Sequence, residues 1–162
     1  MIGQKQYQST MDVPYELAHG FVMRSPKGWG ATERPLVSVV DDDESVRESL
    51  PDLLGEFGFV ARAFSSAQEF LLSGCVDDSS CLILDIAMPG MSGPELYQEL
   101  KRRGQEIPTI FISGQRDKAI RGRLLKQGAV EFLLKPLNDD DLFAAIKMAL
   151  QPKVGSAARG IK

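Results

Sequence analysis

Cys81-Leu82-Ile83-Leu84-Asp85 is an unbroken apolar run closed by an acid. A strand with one face in water alternates polar and apolar residues, so a run without alternation predicts a strand buried on both faces, as in a parallel sheet. The loop Met88-Pro89-Gly90-Met91-Ser92-Gly93 follows, and a helix is predicted from Pro94 to about Arg103. In parallel α/β sheets ligands bind beyond the carboxyl ends of the strands, which is where Asp85 stands.

The same strand-then-helix unit recurs on both sides. Leu36-Val37-Ser38-Val39-Val40 is a β-branched run, followed by Asp41-Asp42-Asp43-Glu44 and by Val46, Leu50, Leu53, Leu54 and Phe57 at helical spacing up to Gly58. Pro51 lies inside that helix, removes a backbone donor and is expected to kink or loosen it. Phe59–Ala63 reads as a strand, and Ser65-Ser66 can cap a short helix carrying Phe70 and Leu71 that ends near Gly74. Pro108–Ile112 and Ala129–Leu134 read as strands, Asp117–Gln127 and Asn138–Leu150 as helices. The fold class is therefore α/β: a doubly wound, five-stranded parallel sheet of the flavodoxin-like (βα)5 type with right-handed crossovers and helices on both faces.

Residues 35–150 make up this domain, and residues 151–162 are a short polar tail. Residues 1–34, punctuated by Gly20, Pro26, Gly28 and Gly30, carry no sustained apolar period and read as a flexible extension. Within it Tyr15–Ala18 can form a short helical turn, and Trp29 is a lone candidate for docking.

With 43% hydrophobic and 25% charged residues in 162, the chain suits one globular domain with a core. A net charge of −3 argues against direct nucleic-acid binding. No apolar run reaches membrane-spanning length, and the N-terminus lacks a secretory pattern, so the expected compartment is the cytoplasm. Cys75 and Cys81, the only cysteines, read as reduced thiols without zinc-ligand spacing. His19 is the only histidine and stands in the low-pattern extension, which disfavours a Ser-His-Asp triad.

The strand ends converge on one rim. The first delivers Asp41 and Asp42, the third Asp85, the fourth Ser113 followed by Gly114, the fifth Lys135 followed by Pro136. Crowded carboxylates repel unless a cation joins them, and oxygen-only ligands on an open rim suit Mg²⁺. Aspartate also serves as a nucleophile, and phosphoryl transfer needs chiefly positioning and charge neutralisation. Lys135 would supply a positive point charge and Ser113 a hydroxyl donor to a phosphoryl oxygen, whereas Asp43 and Glu44 read as helix-capping acids.

The stretches VSVVDDDESVRESL, LILDIAMPGMSGPEL, PTIFISG and GAVEFLLKPL resemble the receiver domain of two-component response regulators, nearest to receivers found in nitrogen-fixation regulators. The resemblance covers about residues 36–150. It implies phosphorylation of Asp85, direct Mg²⁺ ligation by Asp42 with Asp41 partly through water, and the Ala87 carbonyl as a further ligand. It also implies that Lys135 holds the phosphoryl group, that Ser113 and Phe132 form the switch, and that the Lys135–Pro136 bond is cis. The implied partners are a sensor histidine kinase or phosphotransfer protein and an unnamed downstream protein; the chain would be no enzyme beyond its own Mg²⁺-dependent phosphorylation and dephosphorylation, and a monomer or weak homodimer. Ser113 stands where threonine is commoner, and Pro51 is unusual where such domains meet a kinase. A receiver-like scaffold without phosphorylation and a receiver fragment of a longer DNA-binding regulator stay open. A phosphatase is disfavoured by Ala87, where a second acid is usual.

Overall fold

The computed structural model describes residues 34–152. His19, Trp29, the Tyr15–Ala18 turn and the flexibility expected of residues 1–34 lie outside the described residues, as does most of the 151–162 tail. The elements are β1 (Leu36–Val40), α1 (Glu44–Glu56), β2 (Val60–Phe64), α2 (Ala67–Leu72), β3 (Cys81–Asp85), α3 (Gly93–Arg102), β4 (Thr109–Ser113), α4 (Lys118–Lys126), β5 (Glu131–Leu134) and α5 (Asp139–Leu150). All five strands are parallel, in the order β2-β1-β3-β4-β5.

Each strand's burial follows from its place in that order. The central β3 and its neighbour β4 are buried throughout, while the edge strand β2 alternates exposed and half-buried positions until Phe64. Even-numbered side chains of β3, Leu82 and Leu84, pack with Phe70 of α2, Leu96 and Leu100 of α3 and Leu124 of α4. The odd-numbered Cys81 and Ile83 pack with Leu50 and Leu54 of α1 and with Leu142 and Ile146 of α5. The period-two alternation thus feeds two separate cores, one on each face of the sheet. Removing such a side chain from water contributes roughly 1.5–3 kcal/mol.

The helices start where their caps stand. Asp43, Ser66, Ser92, Asp117 and Asn138 each accept a backbone N–H of the following first turn. Ser92 and Glu95 complete a reciprocal capping box. α1 continues through Pro51 without ending. β2 and β4 are each shifted one residue later than the apolar runs suggest. Pro108 cannot donate to the ladder but accepts from Leu82 N–H at 2.9 Å, so β4 begins at Thr109 and keeps Ser113 as its last residue.

Cys75 is half-buried and Cys81 buried, both free thiols. Burial pushes the Cys81 thiol up to about 12, so it behaves as a small apolar residue. Among the described residues no helix is long and apolar enough to cross a membrane.

Candidate functional site

The strand register brings the rim together. Val40 of β1 pairs with Leu84 of β3, so the next residues, Asp41 and Asp85, emerge side by side. The chain leaves β1 outward to β2 and returns to β3 on the other side, which makes the β1–β3 boundary the crevice where ligands bind in doubly wound sheets. On the far side Ser113 pairs with Leu134, and Lys135 follows directly, its N–H donating to the Ser113 carbonyl at 2.8 Å. The Lys135–Pro136 peptide is cis, as the resemblance implies.

Asp41, Asp42 and Asp85 can each place a carboxylate oxygen within 4.8 Å of the others. Asp41 is fully buried, Asp85 is 4% exposed and Asp42 lies open to solvent. Lys135 Nζ stands 2.8 Å from Asp41 Oδ2 and 3.3 Å from Asp85 Oδ1, and bridges the two buried acids. Asp41 Oδ1 accepts the Asp43 N–H at 2.9 Å. Its Oδ2 has the ammonium beside it as an ion pair, yet no aligned hydrogen bond.

The electrostatics follow from this crowding. Burial, and then the Asp41 charge, push the Asp85 carboxyl up to about 7, against the opposing pull of Lys135. Burial works against the Lys135 charge, but Asp41 and Asp85 together outweigh it and raise its pKa. One lysine therefore serves two buried acids, and the rim is short of positive charge.

The other expected residues are all near the strand ends, in different states. Ala87 is exposed in the loop just after Asp85. The Ser113 hydroxyl donates to the Gln115 carbonyl at 3.1 Å and accepts the Gln115 N–H at 3.1 Å, so a local turn holds it. Phe132 is already buried, packed in the α2–α3–α4 core, and it also lines a groove with Arg121 of α4 and Asp141 of α5. Asp43 caps α1 through Ser45, whose hydroxyl and N–H lower its pKa, and its own N–H donates to Asp41 Oδ1.

In the sequence Gly93 is only the last residue of the loop before the predicted helix. A Cβ there would fall inside contact distance of the Asp85 carbonyl oxygen and 3.0 Å from its carbon, while the Gly93 N–H donates to the Ile86 carbonyl at 3.0 Å. The start of α3 thus rests directly on the backbone of the central acid. The Ser92-Gly93-Pro94-Glu95 capping pattern announces the helix start, but only the packing shows what it touches. Gly93→Ala is expected to lower stability by about 1–3 kcal/mol, because backbone rather than a flexible side chain must give way. Urea unfolding at equal denaturant sensitivity measures it, and an unchanged midpoint would contradict the contact.

The sheet is doubly wound, and clustered acids, a lysine and a hydroxyl stand at the carboxyl ends of its strands. The response regulator receiver domain family matches residues 37–147, and the chain belongs to it. Nodulation protein W of Bradyrhizobium diazoefficiens is 43% identical over 121 residues, covering 75% of this chain and 53% of that protein. The response regulator StyR superposes with a TM-score of 0.69 at 41% identity, over 80% of this chain and 64% of that one. FixJ-N does so with a TM-score of 0.66 at 36% identity, over 75% of this chain and 98% of that one. The chain spans about half the length of the curated relatives it matches.

Proposed function

We propose that this receiver is a phosphoacceptor: Asp85 takes a phosphoryl group from the phosphohistidine of a sensor kinase or phosphotransfer protein, in a Mg²⁺-dependent reaction in the cytoplasm. The observation that carries this reading is the pair of buried carboxylates, Asp41 and Asp85, sharing the single ammonium of Lys135. An isolated buried charge is costly, and a scaffold has no use for such a pair.

The donor set fits a hard divalent cation. It is all oxygen, part buried and part open, and Asp41 Oδ2 has no aligned hydrogen bond of its own. Asp41, Asp42, Asp85 and the Ala87 carbonyl would hold Mg²⁺. When bound, the ion supplies positive charge against the phosphoryl oxygens. Asp85 then attacks through one carboxylate oxygen, the phosphorus–nitrogen bond of the donor breaks, and the imidazole nitrogen keeps the electron pair. Lys135 neutralises the phosphoryl oxygens. The Ser113 hydroxyl leaves the Gln115 turn to donate to one of them. With Phe132 already inward here, the switch begins at Ser113, and the groove by Phe132 changes its preference for a downstream protein as a shift between two states.

The direct test is labelling. The chain in Mg²⁺ with a small phosphodonor gains one acid-stable, base-labile phosphoryl group, mapped by mass spectrometry to Asp85; a map to any other residue, or no label, rejects the reading. The raised Asp85 carboxyl gives a second expectation. The ion takes the ionised acid, so below pH about 7 the Mg²⁺ affinity should fall by up to about tenfold per pH unit, with protons released on binding. Calorimetry in buffers of differing ionisation enthalpy reads both. An affinity that is flat from mildly acid to mildly alkaline pH would contradict it.

The length of the relatives, among them a transcriptional regulatory protein FixJ of Azorhizobium caulinodans, favours a second reading for the output step. The receiver would then act within a longer DNA-binding regulator, and the mass of the native protein in its own cells separates the two.

A further inference from the structure

Arg47, half-buried in the first turns of α1, is a cation near the rim with no role so far. Its Nη1 donates to the Asp41 carbonyl at 2.9 Å. Three of the four polar atoms of Asp41 then have hydrogen-bond partners. Its N–H donates to Phe64 O at 3.1 Å, its carbonyl accepts from Arg47, its Oδ1 accepts from Asp43 N–H, and its Oδ2 faces Lys135. The carbonyl Arg47 grips belongs to the peptide that joins Asp41 to Asp42. Asp42 is exposed and precedes the first helical residue, so its orientation depends on the backbone on either side. Asp43, tied to Ser45, fixes one side; the Asp41–Asp42 peptide fixes the other.

The guanidinium charge is also felt at the neighbouring corner. The Glu69 carboxylate accepts the Ser65 hydroxyl and N–H, and these hold it below the usual carboxylate range with a smaller contribution from the Arg47 charge.

We propose that Arg47 is a positioning residue for cation binding: its hydrogen bond to the Asp41 carbonyl sets the Asp41–Asp42 peptide plane, and so the place of the Asp42 carboxylate against Asp41 and Asp85. The inference rests on the Mg²⁺ reading of the rim. Residues that orient metal ligands typically matter about 10–100-fold in metal affinity.

The test compares Arg47→Ala, Arg47→Lys and, as a stability control, Ile146→Val, which trims a buried side chain of α5. Mg²⁺ affinity is read by calorimetry, and labelling by a small phosphodonor is followed across Mg²⁺ concentrations. Arg47→Ala should weaken Mg²⁺ about tenfold or more and raise the Mg²⁺ needed for half-maximal labelling by the same factor, leaving the limiting rate within about threefold. Arg47→Lys should recover most of the affinity, because an ammonium can donate to the same carbonyl. Ile146→Val should change neither. The inference is overturned if Arg47→Ala binds Mg²⁺ within about twofold of the unaltered chain, if Arg47→Lys is as weak as alanine, or if Ile146→Val weakens binding equally. Failure of the unaltered chain to bind Mg²⁺ removes the reading of the rim itself, a result distinct from these.

Discussion

Asp85→Asn reduces phosphoryl incorporation to background while making the metal-free domain more stable at mildly alkaline pH. The first half follows from chemistry, since a carboxamide oxygen is a poor nucleophile and neither Asp41 nor Asp42 ends a strand as Asp85 does. The second half follows from the proton balance. Asp85 sits at about 7 in the folded chain against an ordinary 3.8, because burial and the Asp41 charge disfavour its ionised form. The folded state therefore binds this proton more tightly than the unfolded state does. The group's contribution to stability is present below its unfolded pKa and is lost as pH rises through the interval up to about 7. Above that, the ionised Asp85 is a liability that asparagine does not share.

The gain expected for Asp85→Asn in chelator is on the order of 2 kcal/mol at mildly alkaline pH, shrinking towards zero in acid. The opposite signs make the experiment discriminating. A variant that loses labelling because it is misfolded would lose stability as well. Thermal unfolding in chelator, repeated in Mg²⁺, provides the measurement; Mg²⁺ should stabilise the unaltered chain more than the variant. Residual labelling of Asp85→Asn at the parental rate would remove Asp85 from the chemistry.

Fold and site were legible in the sequence to different depths. The parallel, doubly wound sheet could be read from residues 81–84 and 110–112, where consecutive apolar side chains fit strands buried on both faces. The edge position of β2 was not read from the sequence, although Arg62 interrupts its apolar run. Boundaries were less legible. The apolar Phe59 and Ala129 extend their runs, yet both belong to the turns that feed the strands, and their backbone N–H groups close the preceding helices by bonding Leu54 and Leu124 carbonyls. Apolarity reports burial, which such turn residues share with the strands.

The shared neighbourhood of Asp41, Asp42, Asp85, Ser113 and Lys135 was legible, because strand ends in a parallel sheet lie along one edge. Their pairing was not. That Lys135 stands nearer Asp41 than Asp85, that the Ser113 hydroxyl is held by Gln115, and that Gly93 rests on the Asp85 carbonyl are matters of tenths of an ångström. Such distances depend on how five elements pack together, and no local pattern encodes them. Arg47 is the same case: its contact crosses from α1 back to the end of β1, and in sequence it is one arginine within a predicted helix.

The nearness of Lys135 to Asp41 has an energetic consequence opposite to that of Asp85. Lys135→Met removes the cation between two buried acids and leaves Asp41 Oδ2 without its ion-pair partner. Breaking a buried pair by deleting one member costs about 3–5 kcal/mol. Two effects reduce that figure here: the ammonium is partly solvated, at 22% exposure, and Asp85 can stay protonated. A loss of about 2 kcal/mol at neutral pH in chelator is the expected result. It should diminish in acid, where neutral carboxyls no longer need the cation. Adding Mg²⁺ should restore most of the lost stability, and the variant should bind the ion several-fold more tightly than the parent, because the ion no longer competes with the ammonium for Asp41. Labelling should move the other way. Without the lysine charge on the phosphoryl oxygens, the rate at saturating Mg²⁺ should fall by about 10²-fold, the scale of losing one preorganised electrostatic contact. Tighter metal binding with slower chemistry cannot come from general disruption, which would weaken both. Equal Mg²⁺ affinity in Lys135→Met and the unaltered chain would show that the ammonium and the ion do not share Asp41.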